Sequence, residues 1–295
     1  MSLKKIANEL GLSSTTVSRA LNGYDDVAAE TRERIIDAAK RLGYQPNSLA
    51  RRLKMGRTDA IALAYPSRPR VLNNSTFLEM ISWIGIELGK RGLDLLLIPD
   101  EPGEKYQSLI HLVETRRVDA LIVAHTQPED FRLQYLQKQN FPFLALGRSH
   151  LPKPYAWFDF DNHAGASLAV KRLLELGHQR IAFVSTDARI SYVDQRLQGY
   201  VQTMSEAGLM PLAGYLQKAD PTRPGGYLAA SRLLALEVPP TAIITDCNML
   251  GDGVASALDK AGLLGGEGIS LIVTNGAIVI HTQRLKSDPG GNLLS

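Results

Sequence analysis

The sequence predicts an all-α helix-turn-helix headpiece, followed by an α/β body of two lobes with doubly wound parallel sheets. Three observations predict this fold class. The excess positive charge is confined to the first fifth of the chain, two short helical patterns meet there at a glycine, and short apolar runs alternate with amphipathic stretches from Asp59 onward. A chain of 295 residues is long enough for a small headpiece plus two lobes.

The charge distribution separates the headpiece from the body. Residues 1–57 hold 11 Lys and Arg against 6 Asp and Glu, whereas the other 238 residues hold 22 against 24. A basic module on a neutral-to-acidic body is typical of a protein that reads nucleic acid. A solvated basic surface without a partner would give the same balance, so the charge alone leaves both interpretations open.

Three short helices are expected in the headpiece. The first helix ends at Gly11, where a left-handed turn carries no Cβ penalty, and Ser13 or Ser14 can cap the second. A third helix, roughly Glu30 to Leu42, closes the small core, and Gly43 is placed to end it. The apolar faces of the three helices are Leu3, Ile6, Ala7 and Leu10; Val17, Ala20 and Leu21; and Ile35, Ala39 and Leu42.

The outward face of the second helix lacks the Glu and Lys of a typical solvated helix. Its side chains are short hydrogen-bonding groups with one arginine: Ser14, Thr15, Thr16, Ser18, Arg19 and Asn22. Such a face suits the major groove of DNA, where Arg19 can bind guanine O6 and N7 while hydroxyl groups contact base edges or phosphates. Helix capping alone would also explain the serine and threonine residues.

The run from Leu3 to Asn22 resembles the headpiece of the LacI/GalR family of bacterial sugar-responsive repressors, and the match continues through Thr31–Arg34 and Gly43–Asn47. The resemblance implies DNA base contacts from Ser14, Thr15 and Arg19. It implies phosphate contacts from Thr16, Ser18 and Asn22. One departure is Ala28, where the family usually caps the third helix with serine.

A hinge is expected at 47–54, which completes a first domain of residues 1–57. Asn47 can cap a helix through Ser48–Lys54, which is too short to be stable alone in water. The resemblance implies that this helix folds on DNA and contacts the minor groove through Asn47, Ala50 and Leu53. In the family, the residue that matches Leu53 wedges between base pairs. A basic linker whose leucines pack on the body is the alternative.

The body, residues 58–295, alternates strand and helix patterns, which predicts parallel sheets. Lobe A is expected at about 58–156 and lobe B at about 157–274, with a seam near Trp157–Asp161. The predicted strands are Ala60–Tyr65, Leu93–Ile98, Ala120–Ala124, Phe143–Leu146, Arg180–Ser185, Ala242–Thr245 and Ile269–Val273. Ligands of such sheets bind beyond the carboxyl ends of the strands, so a ligand is expected in the cleft between the lobes.

The body resembles the effector-binding core of the same family, which is similar to the periplasmic sugar-binding proteins. The matching segments include Asp119–Val123, Leu176–Ala182, Arg196–Gly199 and Pro240–Asp246. The resemblance implies a small sugar effector, and the strings Phe143–Arg148 and Ala156–Gly165 are similar to one member in particular, which implies an α-galactoside.

Six effector contacts are expected: Asn74, Phe77, Tyr192, Arg196, Asp246 and Asn275. Arg196 occupies the family's effector-contacting position, although a surface charge is the alternative. Asn74 precedes Ser75, which can simply cap a helix, and the rings of Phe77 and Tyr192 can belong to the core instead. Cys247–Asn248 and Asn275 depart from acidic positions that the family usually has.

The resemblance is expected to stop near residue 273, so the last elements of the fold are expected to be missing. The segment 275–295 is Gly-rich and aperiodic in its second half, which predicts a disordered tail. A truncated member of the family would bind DNA but lack the effector response or stable dimerisation, and this is the alternative function.

Other functions are disfavoured. The sequence contains no Gly-x-Gly-x-x-Gly after the first strand, no P-loop, no Gly-x-Ser-x-Gly and no His-Glu-x-x-His, so we expect neither an enzyme nor a cofactor or metal. A secreted sugar-binding protein would need a signal peptide, and the first residues lack the continuous apolar stretch that such a peptide contains. The single cysteine, Cys247, cannot form a disulfide within the chain, which fits a reducing cytoplasm. We therefore expect a cytoplasmic, nucleoid-associated homodimer that binds double-stranded operator DNA, is released by sugar and contacts no membrane.

Overall fold

The computed structural model describes residues 3–21, 24–44, 56–67, 75–100, 106–186, 189–264, 268–275 and 278–282. Contacts divide the chain into two compact units. One is Met1–Ala60 with Arg116–Asp119, and the other is Ile61–Thr115 with Ala120–Ser295.

The first unit contains three helices, α1 (Leu3–Leu10), α2 (Ser14–Leu21) and α3 (Ala29–Arg41). Each helix buries the apolar stripe that its sequence predicts, because residues three and four apart share one face. The shared core consists of Ile6, Ala7, Val17, Ala20, Val27, Ile35, Ala38 and Ala39. The predicted helix-turn-helix headpiece is therefore present.

The turn between α1 and α2 settles which serine caps the second helix. Gly11 has a φ of 66°, and the N–H of Leu12 donates to the carbonyl of Ala7 at 2.9 Å. The backbone N–H of Thr16 donates to Ser13 Oγ at 3.0 Å, so Ser13 is the cap. The helix α3 starts after Ala28, which makes no side-chain cap hydrogen bond, as the sequence predicts.

Lobe A of the second unit carries a five-stranded sheet in the order β2-β1-β3-β4-β5. The pairs β1–β3, β3–β4 and β4–β5 are parallel. Its elements are β1 (Ala60–Pro66), α4 (Ser75–Gly89), β2 (Asp94–Asp100), α5 (Gln107–Glu114), β3 (Ala120–Ala124), α6 (Phe131–Lys138), β4 (Phe143–Leu146) and β5 (Ala156–Phe158).

Lobe B carries a second five-stranded sheet in the order β10-β9-β8-β6-β7, which is parallel except for the antiparallel pair β10–β9. Helices pack on both faces of the sheet and bury apolar clusters there. Its elements are α7 (Asn162–Glu175), β6 (Ile181–Thr186), α8 (Ser191–Glu206), β7 (Leu216–Ala219), α9 (Arg223–Leu234), β8 (Ala242–Thr245), α10 (Asn248–Lys260), β9 (Ser270–Asn275) and β10 (Ile278–Thr282).

The seven strands predicted from the sequence are all present, but β5, β7 and β10 were not predicted. β5 is a stretch of only three residues, Ala156–Phe158, and β7 has the polar residues Gln217 and Lys218 at its centre, so neither contains an apolar run long enough to predict a strand. The tail predicted to be disordered from residue 275 contains β10, whose backbone pairs with β9. The prediction for residues 283–295 lies outside the described residues.

Among the described residues, no helix is long and apolar enough to cross a membrane.

Candidate functional site

The predicted DNA-reading face lies on α2. Ser14 and Thr15 are exposed, and Thr16, Ser18 and Arg19 are partly exposed. The hydroxyl of Thr16 lies 2.8 Å from that of Ser13, so it shares in the helix cap. The structure therefore places five of the six predicted residues on one helix of eight residues. Asn22 lies outside the described residues.

Arg19 has two neighbours that the sequence analysis did not single out. Its Nε donates to Asp26 Oδ1 at 3.1 Å, and its Nη2 forms an ion pair with Asp26 Oδ2. The guanidinium carbon lies 4.8 Å from the centre of the Tyr24 ring. The Arg19 side chain remains 42% exposed. The turn between α2 and α3 thus holds the predicted base-reading arginine at the protein surface.

The predicted hinge contacts, Asn47, Ala50 and Leu53, lie outside the described residues. The chain after the hinge is anchored within the first unit. Asp119 Oδ1 accepts from the backbone N–H of Thr58 at 2.8 Å, and Asp119 Oδ2 accepts from that of Asp59 at 2.9 Å. These bonds hold the backbone of Thr58 and Asp59 in place immediately before β1.

The carboxyl ends of the parallel strands carry the candidate ligand-binding groups of the second unit. His125 follows β3 and Arg148 lies two residues after β4, whereas Asp246 follows β8 and Thr274 lies near the end of β9. This is where ligands bind in parallel α/β sheets. Lobe A and lobe B meet here, because the backbone N–H of Ser191 donates to the carbonyl of Thr126 at 2.8 Å.

Arg196, on α8, lies at the centre of the lobe B side. Its Nε donates to Asn162 Oδ1 at 3.0 Å, and its Nη1 donates to the carbonyls of Asp246 and Thr274. The ring of Tyr192 lies 4.8 Å from its guanidinium carbon. Only 5% of Arg196 is exposed, so the alternative of a surface charge is wrong.

A row of rings runs from lobe A to Arg196. Phe77 lies 6.4 Å from Tyr65 and 5.1 Å from His125, and His125 lies 6.2 Å from Tyr192, measured between ring centres. Phe77 is 6% exposed and belongs to the core of lobe A, whereas Tyr192 is partly exposed. Of the two predicted aromatic contacts, Tyr192 therefore has the surface that a ligand needs.

A polar network joins the lobes beside this row. Arg148 donates through Nε to Asp159 at 3.0 Å and through Nη2 to Gln195 Oε1 at 3.1 Å. The amide of Asn162 donates to the same Asp159 at 3.1 Å and to Gln195 Oε1 at 3.2 Å. The network therefore runs from the end of β4 to the guanidinium of Arg196. Charged hydrogen-bonding groups of this kind suit ligands with many hydroxyls.

The other predicted contacts are placed differently. Asp246 is fully buried, and its carboxylate accepts from the backbone N–H and the hydroxyl of Thr186 at 2.6 and 3.1 Å. Burial raises the pKa of this carboxyl, against the hydrogen bond from Thr186. Asp246 therefore meets Arg196 through its carbonyl oxygen. The side chain of Asn275 and all of Asn74 lie outside the described residues.

The single cysteine, Cys247, follows Asp246 at the start of α10. Burial, and then the nearby Asp246, raise the pKa of the thiol to about 12. The thiol therefore stays protonated near neutral pH and is a poor nucleophile and metal ligand there. No group of three His, Cys, Asp or Glu side chains in the described ranges could hold a metal ion.

A buried ion cluster supports the loop after β3. Arg132 donates through Nε and Nη2 to Asp130 at 2.9 and 2.7 Å, and through Nη1 to Asp100 at 3.3 Å. Its Nη2 also donates to the carbonyls of Ala124 and His125 at 3.2 Å. Burial raises the pKa of Asp100 to about 6, against the attraction of Arg132. The cluster thus fixes the backbone that carries the His125 ring.

Three residues of this junction, His125, Arg148 and Gln195, were not predicted from the sequence. His125 and Arg148 lie just beyond predicted strands, so the rule that ligands bind at carboxyl ends would have found them. Gln195 carries no comparable signal, because its role depends on the meeting of two lobes.

Both parts of the chain match known protein families. Residues 2–47 match the profile described as bacterial regulatory proteins, lacI family. Residues 58–281 match the profile described as periplasmic binding proteins and sugar binding domain of LacI family. The match extends to residue 281, eight residues beyond the point near 273 where the resemblance was expected to stop, and these residues include the end of β9 and most of β10.

One curated relative is the transcriptional regulator RafR of Escherichia coli, which is 51% identical over 278 residues, 94% of this chain and 82% of that protein. This match confirms the particular resemblance seen in the sequence, which is to the raffinose-operon repressor. Because this relative is a transcriptional regulator, the prediction that the chain is not an enzyme is also confirmed.

Two solved structures share the fold. The lac repressor dimer bound to operator and the anti-inducer ONPF has a TM-score of 0.78 at 25% identity, with 92% of this chain and 81% of that chain covered. The complex of the transcriptional regulator CelR with cellobiose has a TM-score of 0.65 at 27% identity and the same coverage. The two family profiles, the 51% identity and the shared fold show that this chain belongs to the LacI family of DNA-binding transcription regulators.

Proposed function

We propose that this chain represses a sugar-utilisation operon and that a small sugar, an α-galactoside, releases it from operator DNA. One observation carries the sugar-binding part, namely the junction of the lobes at Tyr192 and Arg196. A partly exposed ring beside buried polar groups offers an apolar face and hydrogen-bonding partners, which a sugar ring requires. The resemblance of the strings Phe143–Arg148 and Ala156–Gly165 to one member of the family supports the choice of an α-galactoside, and the CelR–cellobiose complex supports a sugar as the class of ligand.

The proposed mechanism is allosteric. Two headpieces of a homodimer bind two half-sites of a near-palindromic operator in the cytoplasm, where the regulator is nucleoid-associated when bound to DNA. A sugar in the cleft binds more tightly to the lobe arrangement that does not bind DNA. The free energy that couples sugar binding to DNA release equals the difference between the sugar's binding free energies for the two arrangements. The operator-bound dimer of the lac repressor supports this assembly.

The experiment is a gel-shift titration of the operator complex with a panel of galactosides and glucosides. We expect α-galactosides to release the DNA. Tyr192→Ala should raise the sugar concentration needed for half-release by about tenfold, because the ring that contacts the sugar is lost. The affinity for operator without sugar should stay unchanged.

Tyr227→Ala is the matched control. Tyr227 is also a partly buried tyrosine of lobe B, on α9, and its ring lies 5.9 Å from the Nζ of Lys260 rather than at the lobe junction. Equal effects of the two substitutions would refute sugar binding at Tyr192. Operator binding that no sugar releases would refute the effector part of the proposal and favour a regulator without sugar response.

A further inference from the structure

We propose that Asp26 is a positioning residue for DNA recognition. Its carboxylate holds the Arg19 guanidinium so that the opposite edge of that group binds a guanine. This inference rests on the proposed function, because it takes Arg19 as a base-reading side chain.

The geometry of the ion pair leaves a second edge of the guanidinium for DNA. Asp26 engages Nε and Nη2 of Arg19, which form the side edge of the planar group. A guanidinium has five N–H donors in a rigid fork, so the end edge made by Nη1 and Nη2 keeps its own pair of donors. Guanine O6 and N7 accept such a pair in the major groove. Asp26 and a guanine can therefore bind Arg19 at the same time.

The turn that carries Asp26 is itself anchored. The Nη2 of Arg32, on α3, donates to the carbonyls of Tyr24 at 2.5 Å and Val27 at 3.4 Å. The backbone N–H of Tyr24 donates to the carbonyl of Arg19 at 3.1 Å, and the side chain of Val27 is buried in the core. The carboxylate therefore occupies a fixed position relative to α2, and the Tyr24 ring supports the guanidinium from one face.

Holding the arginine before binding changes affinity in a predictable direction. A free arginine loses rotamer freedom when it binds a base, and prior ordering avoids a penalty equivalent to about threefold to tenfold in affinity. The negative charge of Asp26 acts in the opposite direction, because it repels phosphates and weakens binding to every DNA sequence. Removal of the carboxylate should therefore weaken specific binding through the loss of positioning, and strengthen binding to every DNA sequence through the loss of a negative charge.

The test compares Asp26→Asn with Asp25→Asn in the full-length protein. Asp25 is the exposed neighbour in the same turn, so its substitution makes the same change of charge. Fluorescence anisotropy measures binding to an operator duplex selected by the protein from a random library, to variants at each base pair, and to an unrelated duplex. Circular dichroism checks that the variants fold, which we expect because exposed ion pairs contribute little to stability.

We expect Asp26→Asn to lower the ratio of specific to non-specific affinity by about threefold to tenfold. Among the operator variants, the loss of discrimination should fall on the base pair at which Arg19→Ala also relaxes discrimination. Asp25→Asn should leave this ratio unchanged. In an Arg19→Ala background, Asp26→Asn should cause no further loss. Since a general loss of stability would persist in that background, this comparison separates positioning from a structural effect.

Two outcomes would overturn the inference while the role of Arg19 stands. One is an unchanged or higher ratio for Asp26→Asn, as for Asp25→Asn, and the other is a loss that persists without Arg19. If Arg19→Ala relaxes discrimination at no base pair, Arg19 is not a base reader, and both the reading role and the positioning role are refuted.

Discussion

Asp100→Asn should remove a pH-dependent contribution to the stability of lobe A. Asp100 is 1% exposed at the end of β2, where it faces Arg132, Asp130 and Tyr106. Its pKa is raised from 3.8 to about 6, mainly by burial, so the folded protein holds this proton more tightly than the unfolded chain. The contribution is therefore fully present below pH 3.8 and is lost as the pH rises through about 6.

The magnitude follows from the two pKa values. A shift of about two units is equivalent to at most about 3 kcal/mol of unfolding free energy. Between about pH 4.5 and 7 the carboxyl should lose about 2 kcal/mol of this contribution. Since asparagine does not ionise, Asp100→Asn should gain about 2 kcal/mol relative to the wild type over that interval.

Urea unfolding at several pH values, followed by tryptophan fluorescence, measures this difference. Both tryptophans of the chain, Trp83 and Trp157, lie in lobe A, so their emission reports on the relevant lobe. The control is Asp94→Asn, an exposed position on the same strand. If the unfolding free energies of the wild type and Asp100→Asn change by the same amount from about pH 4.5 to 7, the burial argument is refuted.

Two further predictions concern stability. Gly199→Ala should destabilise lobe B by about 1–3 kcal/mol, because a Cβ there would lie 2.3 Å from the carbonyl oxygen of His163. The control is Gly89→Ala, where an added Cβ would meet no atom within 4 Å, so this variant should be as stable as the wild type or more stable. Equal melting temperatures of the two variants by calorimetry would contradict the packing argument. Ser13→Ala should cost about 1 kcal/mol of headpiece stability, because Thr16 loses its cap acceptor, and an unchanged thermal unfolding curve by circular dichroism would show that the cap is dispensable.

Much of the fold could be predicted from the sequence because its signals are local. Helical spacing of apolar residues placed α1, α2 and α3, and Gly11 marked the turn between the first two. Buried strands such as β3 and β6 read as continuous apolar runs. β5 has only three residues and β7 has polar residues at its centre, so neither was predicted.

The residues of the candidate sites also differ in how far the sequence alone predicts them. The exposed face of α2 follows from the 3.6-residue period alone, because the core side of that helix is fixed by Val17 and Ala20. The same period cannot tell which partner holds Arg19, since Asp26 lies in a turn whose path depends on Arg32. A side chain's role in binding therefore depends on contacts that its own helix does not specify.

The sequence by itself indicated the class of protein through its resemblance to a family. It also determined the three headpiece helices and seven of the ten strands in the described part of the chain, because the signal for each lies within a few neighbouring residues. Only the tertiary structure decided that Arg196 is buried among acceptors 34, 50 and 78 residues away, and that Asp246 offers a carbonyl rather than a carboxylate. It also separated Phe77, which is core, from Tyr192, which is partly exposed. The physical reason is that burial and hydrogen bonding over such separations depend on which elements pack together, and no local period encodes that choice.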